Sequence, residues 1–262
     1  MLEISHLTRR FGEKVAVDDL TLSAPAGRIA GFIGHNGAGK TTTLRAAAGI
    51  LDFAEGTITI DGHDVRADPV AAKRATAFLP DNPDLYEFMS GIDFLGFVAD
   101  IYGIDAPRRR ELVAHYARAY GIDGDLGNSV GSYSHGMKQK LALVSAFIRT
   151  PRLLLLDEPF VGLDPIAAHT LKGHLRQICD DGGAVLFSTH ILEVAQVLCD
   201  DIAIISHGRL VVAGPTAEVV GDSSLEAVFL ELQGDAGAPS ALPAKTGPDA
   251  AGPAATASRG TL

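Results

Sequence analysis

The sequence predicts an α/β protein with a parallel-sheet core, a phosphate-binding loop and a helical insertion midway along the chain. Three observations predict it. Short apolar runs (RIAGFIG, LLLLDE, AVLFSTH and IAIIS) are separated by segments with helical apolar spacing, the pattern of βαβ units. Gly34 to Thr41 reads GHNGAGKT, which fits G-x-x-x-x-G-K-[ST] between an apolar run and a helical one. Leu153 to Leu156 are all leucine and lead into Asp157 and Glu158. Such a strand suits burial on both faces, and open α/β sheets place their chemistry at the carboxyl ends of strands.

Taken in order, residues 1 to 34 hold three β-like runs, LEISHLT, VAVDDLTLSA and RIAGFIG. Thr41 to Ile50 reads as a helix and TITIDG as a strand. Ala75 to Leu79 is another strand, ended by Pro80 and Pro83. Phe94, Phe97, Val98 and Ile101 then fall at i, i+3, i+4 and i+7, one face of a helix. Val113, Tyr116, Ala117 and Tyr120 repeat that spacing after Pro107, a favoured first-turn residue. Residues 85 to 150 are therefore expected to form a helical insertion, ending on a helix that starts at the small turn Ser134-His135-Gly136. Strand-helix alternation resumes with LLLLDE, a helix from about Pro165 to Asp180, AVLFSTH, a helix facing inward through Ile191, Val194, Ala195 and Leu198, and IAIIS. A hairpin through His207-Gly208 leads into RLVVAG. From Gly234 to Leu262 the composition collapses to Ala, Gly, Pro, Ser and Thr. Such a segment buries too little apolar area to offset the entropy of ordering it, so a disordered tail is expected.

At 262 residues the chain can bury one large core or two modest ones. A formal net charge of -10 and the lack of any Lys/Arg run argue against nucleic acid, whose binding requires phosphate neutralisation. Cys179 and Cys199 make no metal or redox spacing and are expected to be reduced thiols. No apolar run approaches the ~18 to 20 residues of a membrane span, and the opening MLEISHLTRRFG is not a signal peptide. The expectation is a soluble, cytosolic chain that remains free to dock on a membrane partner.

The loop GHNGAGKT has a definite chemistry. Its glycines let backbone N–H groups converge on phosphate oxygens, and the following helix N-terminus adds a favourable dipole. The residues expected to bind phosphate are Gly34, His35, Asn36, Gly37, Ala38, Gly39, Lys40, Thr41 and Thr42. Lys40 would reach the terminal phosphates and Thr41 would offer a hydroxyl to Mg²⁺. Asp157 is expected to hold Mg²⁺ directly or through water, and Glu158 to polarise water for in-line attack on the γ-phosphate. His190, after the AVLFS strand, would hydrogen-bond that phosphate or that water.

With these motifs in order, the chain resembles an ATP-binding cassette (ABC) subunit of a membrane transporter over about residues 1 to 230. GHNGAGKTT resembles the Walker A loop, LLLLDE the Walker B strand, YSHGMKQK the ABC signature, Val161 to Asp164 the D-loop and Ser188-Thr189-His190 the switch histidine. The resemblance implies the ABC ATPase fold: a P-loop NTPase core, an antiparallel β subdomain and the helical insertion. It implies ATP and Mg²⁺ as cofactors, with Phe11 stacking on adenine. Two ATPase subunits, as a homodimer or pseudo-dimer, would sandwich ATP head to tail, Ser134 and Gly136 touching the γ-phosphate bound by the other protomer. Transmembrane permease subunits, as separate chains, would dock on the insertion between Tyr86 and Phe147, placing the protein peripherally on the cytoplasmic face of the membrane. Tyr-Ser-His-Gly-Met and Leu225 to Phe229 resemble ATPases of drug- or polysaccharide-type exporters.

Three positions depart from the family pattern. His35 stands where Pro is common, His135 replaces a signature Gly, and Asp81 stands where Gln usually contacts Mg²⁺ and the permease. Asp81 can still ligate Mg²⁺ and is read as a tolerated variant. An ABC ATPase acting on DNA or ribosomes is disfavoured by the short insertion, the single cassette and the acidic balance. A non-catalytic nucleotide-binding module is disfavoured by the presence of both Glu158 and His190.

Overall fold

A computed structural model describes residues 1 to 234, and the stretch expected to be a disordered tail lies outside the described residues apart from Gly234. Two sheets organise the chain. β1 (Leu2–Phe11), β2 (Lys14–Ala24), β4 (Glu55–Ile60) and β5 (His63–Asp64) form an antiparallel sheet of order β2-β1-β4-β5. β3 (Ile29–Ile33), β6 (Thr76–Leu79), β7 (Leu153–Asp157), β8 (Ala184–Thr189), β9 (Asp201–Ser206) and β10 (Arg209–Pro215) form the second, of order β10-β9-β3-β8-β7-β6. All its pairings are parallel except the β9–β10 hairpin. The fold class expected from the sequence is the fold observed.

The six-stranded sheet is buried on both faces because alternate residues feed two cores. Ile29, Ile33, Leu154, Leu156, Val185, Phe187, Ile202 and Ile204 pack on one side. Ala30, Phe32, Leu153, Leu155, Ala184, Leu186, Ala203 and Ile205 pack on the other, against the antiparallel sheet and α1 (Lys40–Ala47). All four leucines of β7 are fully buried, each contributing roughly 1.5 to 3 kcal/mol by removing apolar area from water.

The helical insertion consists of α3 (Gly91–Ile101), α4 (Ala106–Ala119) and α5 (His135–Phe147), the last two joined through short 3₁₀ turns. Ser90, Asp105 and Ser134 cap these helices by accepting from Asp93, Arg108 and Met137 N–H groups. α6 (Pro165–Asp180) begins at Asp164, which accepts from Ala167 N–H at 2.8 Å, with Pro165 in its first turn.

Several local features differ from the sequence reading. α1 stops at Ala47 instead of running to Ile50, because Gly49 turns left-handed (φ 64°). Helix α2 (Pro69–Ala75) was not foreseen: it buries only Ala72, so no apolar stripe announces it, although the Asp68 cap and Pro69 are start signals. α7 (Leu192–Leu198), α8 (Thr216–Val220) and α9 (Leu225–Gly234) complete the chain, Leu225 fully buried at the start of α9. The last helix thus covers the segment read only as family-like.

Candidate active site

β3 runs fully buried into Gly34, the loop turns through Gly37 and Gly39, and α1 starts at Lys40. Close packing demands the glycines. A Cβ on Gly34 would lie 2.5 Å from the Ile205 carbonyl oxygen, and one on Gly39 would lie 2.7 Å from the Ala16 carbonyl oxygen at a φ of +113°. Gly208 of the β9–β10 turn donates its N–H to the Ala38 carbonyl at 2.9 Å and accepts from Asp18 N–H at 2.9 Å, tying loop, hairpin and β2 together.

Lys40 is buried under this loop. Its ammonium donates to the Gly34 carbonyl at 2.5 Å and the His35 carbonyl at 3.3 Å, and lies 3.7 Å from Glu158 Oε1. Burial pulls its pKa below the ordinary lysine value, and the negative fields of Glu158 and Asp157 act against that pull. Thr41 and Thr42 follow in the first turn of α1, whereas the Thr43 hydroxyl is spent on the Gly39 carbonyl at 3.0 Å.

The acidic half of the site comes from adjacent strands. β7 and β8 pair in parallel with Asp157 opposite Ser188. Ser188 Oγ donates to Asp157 Oδ1 at 2.5 Å and accepts from Glu158 N–H at 3.1 Å. Glu158 is a non-glycine residue at φ +49°, a left-handed conformation uncommon for a residue with a side chain. Its Oε2 accepts from His190 N–H at 3.3 Å and sits 2.9 Å from His190 Nδ1. Asp157 Oδ2 and Glu158 Oε1 are buried without hydrogen-bond partners. A buried carboxylate oxygen without a hydrogen bond is costly, so two such atoms beside a buried lysine mark a place built for a ligand. One carboxylate and one hydroxyl fit Mg²⁺, which keeps waters and takes remaining oxygens from substrate phosphates.

Among the described residues, the other candidate side chains make no hydrogen bond to the acidic pair, although the His35 carbonyl accepts from Lys40. Phe11 ends β1 at the tip of the antiparallel hairpin and is half-exposed. His35 directs Nδ1 to the Asn36 carbonyl at 2.8 Å and packs edge-on to His207 at 5.3 Å between ring centroids. Asp81 follows β6, the outermost strand, and its carboxylate accepts from Asn82 N–H at 2.9 Å. Ser134 and Gly136 sit at the start of α5, Gly136 against the Gly162 carbonyl. Among the described residues, no hydrogen bond or ion pair joins Asp81, Ser134 or Gly136 to the Lys40–Glu158 group. Cys179 and Cys199 are buried, unpaired thiols; burial pushes Cys179 up to about 11 and Cys199 higher still, so neither is nucleophilic.

Sequence reading assigned no role to Ser188, which bridges the two acidic residues. The signal was available only through pairing, since nothing local says that this serine stands opposite Asp157.

The ABC transporter family matches residues 17 to 161. The chain is 35% identical over 232 residues to the daunorubicin/doxorubicin resistance ATP-binding protein DrrA of Streptomyces peucetius, covering 88% of this chain and 70% of that one. It is 31% identical over 233 residues to the Nod factor export ATP-binding protein I of Burkholderia orbicola (strain AU 1054), covering 89% and 76%. A solved structure of the ATP-binding subunit of an ABC transporter superposes with a TM-score of 0.86 at 31% identity, covering 89% of this chain and 99% of that one. The buried P-loop lysine, the acidic pair at the end of β7 and these likenesses agree: the chain belongs to the ABC transporter family, as an ATP-binding subunit with ATPase activity.

Proposed function

We propose that this ATPase works as a head-to-tail dimer, with Mg²⁺, to power export through separate transmembrane chains from the cytoplasmic face of the membrane. The observation that carries the dimer is a separation within one chain. Asp157, Ser188, Glu158 and His190 form one hydrogen-bonded group with Lys40 3.7 Å from Glu158 Oε1, while the signature residues Ser134 and Gly136 begin a helix outside it. A helix start bearing a small hydroxyl and a glycine is an anion site in search of a phosphate, and a second protomer would bring one.

In the assembled site, the P-loop N–H groups and Lys40 hold the phosphates, and Glu158 accepts the proton of the attacking water while His190 fixes the carboxylate. Asp157, oriented by Ser188, and the Thr41 hydroxyl would hold Mg²⁺, which when bound neutralises charge on the phosphate oxygens. Asp81 stands farther out and is proposed as a contributor through water.

Export rests on the printed activity of the Nod factor relative and on the family resemblance of the signature and C-terminal segments. Docking has a surface to use. Tyr86, Phe88, Ile92, Phe97 and Ile101 are exposed apolar residues around α3, far more than a polar surface needs. Tyr86 packs edge-on to Phe97, their centroids 5.7 Å apart.

Replacing Glu158 with Gln removes the base and keeps the shape. Turnover should fall at least a hundredfold, within the range general bases contribute, while ATP with Mg²⁺ converts the protein to a stable dimer on gel filtration. A Glu158→Gln protein that stays monomeric at saturating ATP would overturn the sandwich, and one that hydrolyses at the parent rate would overturn the role of Glu158.

A further inference from the structure

Resting on the reading of Phe11 as the adenine platform, we infer that Arg9 is a positioning residue for the nucleotide base and acts through the Phe11 ring. The Arg9 guanidinium carbon lies 4.6 Å from the Phe11 ring centroid, over one face. Phe11 remains 47% exposed, which leaves the opposite face for a ligand. Arg9 Nε is shielded from water and has no hydrogen-bond partner. Among the described residues, no protein group hydrogen-bonds or ion-pairs with the Arg9 side chain, so the ring is its partner within the protein, an arrangement suited to a weakly hydrated, planar cation.

The backbone explains why the two side chains meet. Arg9 and Phe11 are two residues apart on β1, so they share a face of the strand. Pairing runs from Arg9↔Val17 to Arg10↔Val15, which leaves Ala16 of β2 as the extra residue of a bulge. The Ala16 carbonyl is the group that abuts Gly39 of the phosphate loop and Gly208 of the β9–β10 turn. The bulge thus pins the hairpin carrying Arg9 and Phe11 to the loop that holds the phosphates. Distance along the nucleotide is set by the bulge, and the orientation of the ring is set by Arg9.

A base stacked on the free face would complete a layer of guanidinium, ring and purine. The cation draws on the negative face of the ring and fixes its rotamer, so the platform is already oriented when the base arrives. Arg9 does not need to touch the nucleotide.

The experiment compares Arg9→Met, Arg9→Lys, Phe11→Ala and the Arg9→Met/Phe11→Ala double variant in the full chain. Each is checked by thermal melting without nucleotide, then assayed for ATP affinity, for affinity toward inorganic tripolyphosphate, which has no base, and for KM and kcat. Arg9→Met should weaken ATP about 3- to 10-fold, the span of a cation–π contact, and leave tripolyphosphate affinity at the parent value. KM should rise more than kcat falls, Arg9→Lys should recover part of the loss, and Arg9→Met should add nothing in the Phe11→Ala background. Equal weakening of ATP and tripolyphosphate, additive loss in the double variant, or parent affinity for ATP in Arg9→Met overturns the inference. Unchanged ATP affinity in Phe11→Ala overturns the platform itself, a result distinguishable from failure of Arg9 alone.

Discussion

Ser188 illustrates what one side chain decides. Its hydroxyl donates to Asp157 Oδ1 at 2.5 Å while accepting from Glu158 N–H, so it fixes both acids at once. Replacing it with Ala would leave Asp157 with no hydrogen bond on either oxygen, since Oδ2 is already unpartnered. Losing such a support for a metal-binding carboxylate typically costs about 10- to 100-fold, so Ser188→Ala should lower Mg²⁺-dependent ATP turnover by that factor. Steady-state ATPase assays across a Mg²⁺ titration measure it, and a parent-like curve would refute the role. The P-loop, Asp157 and Glu158 were legible in the sequence because their chemistry needs residue types at fixed spacing. The positive φ of Glu158 and the Ser188 bridge were not, because each depends on a neighbouring strand.

Elements were legible in proportion to the apolar face they bury. α3 and α4 announce themselves by helical apolar spacing, and with α6 they form close to where expected. α2, with a single buried residue, gave no such signal. The start of α5 and the loop before α6 form a latch that no local pattern reveals. The His135 ring lies against Gly162, where a Cβ would stand 2.8 Å from His135 Cδ2, and Lys140 Nζ pairs with Asp164 Oδ2 at 2.6 Å. Contact with Lys140 and the α6 N–H groups holds the Asp164 carboxyl below its usual range. His135 therefore has a packing use: its imidazole fills the space over the turn at Gly162. The proposed docking surface also belongs to this scale. Phe88 is 85% exposed, so Phe88→Asp should leave the melting temperature nearly unchanged yet lower recovery of the ATPase with its transmembrane chains from detergent extracts. Undiminished recovery would move docking elsewhere on the insertion.

At the scale of the molecule, the insertion is joined to the parallel core through an aromatic seam. Tyr116 of α4, Tyr120 just after it, Phe147 of α5 and His174 of α6 meet there, with Tyr120 Oη 3.1 Å from His174 Nδ1 and His115 nearby. Burial, reinforced by His115, lowers the His174 pKa below the ordinary value of 6.5. The unfolded chain therefore binds a proton that the folded chain resists, so stability is present above pH 6.5 and is lost as pH falls through 6.5 toward the lowered folded value. Urea midpoints between pH 8 and 5 should fall less in His174→Gln, whose amide can still bond Tyr120 but cannot titrate. Identical pH profiles for parent and variant would remove His174 from that account.

The sequence by itself determined the alternation of strands and helices, the phosphate loop and the acidic pair, because backbone periodicity and the needs of phosphate chemistry are written locally. Only the tertiary structure decided which residues share a site. Parallel pairing of β7 with β8 sets Ser188 against Asp157 and brings His190 to Glu158, the bulge at Ala16 ties Phe11 to the P-loop, and α5 starts outside that group. Those relations join residues distant along the chain, and no local pattern carries the register that brings them together.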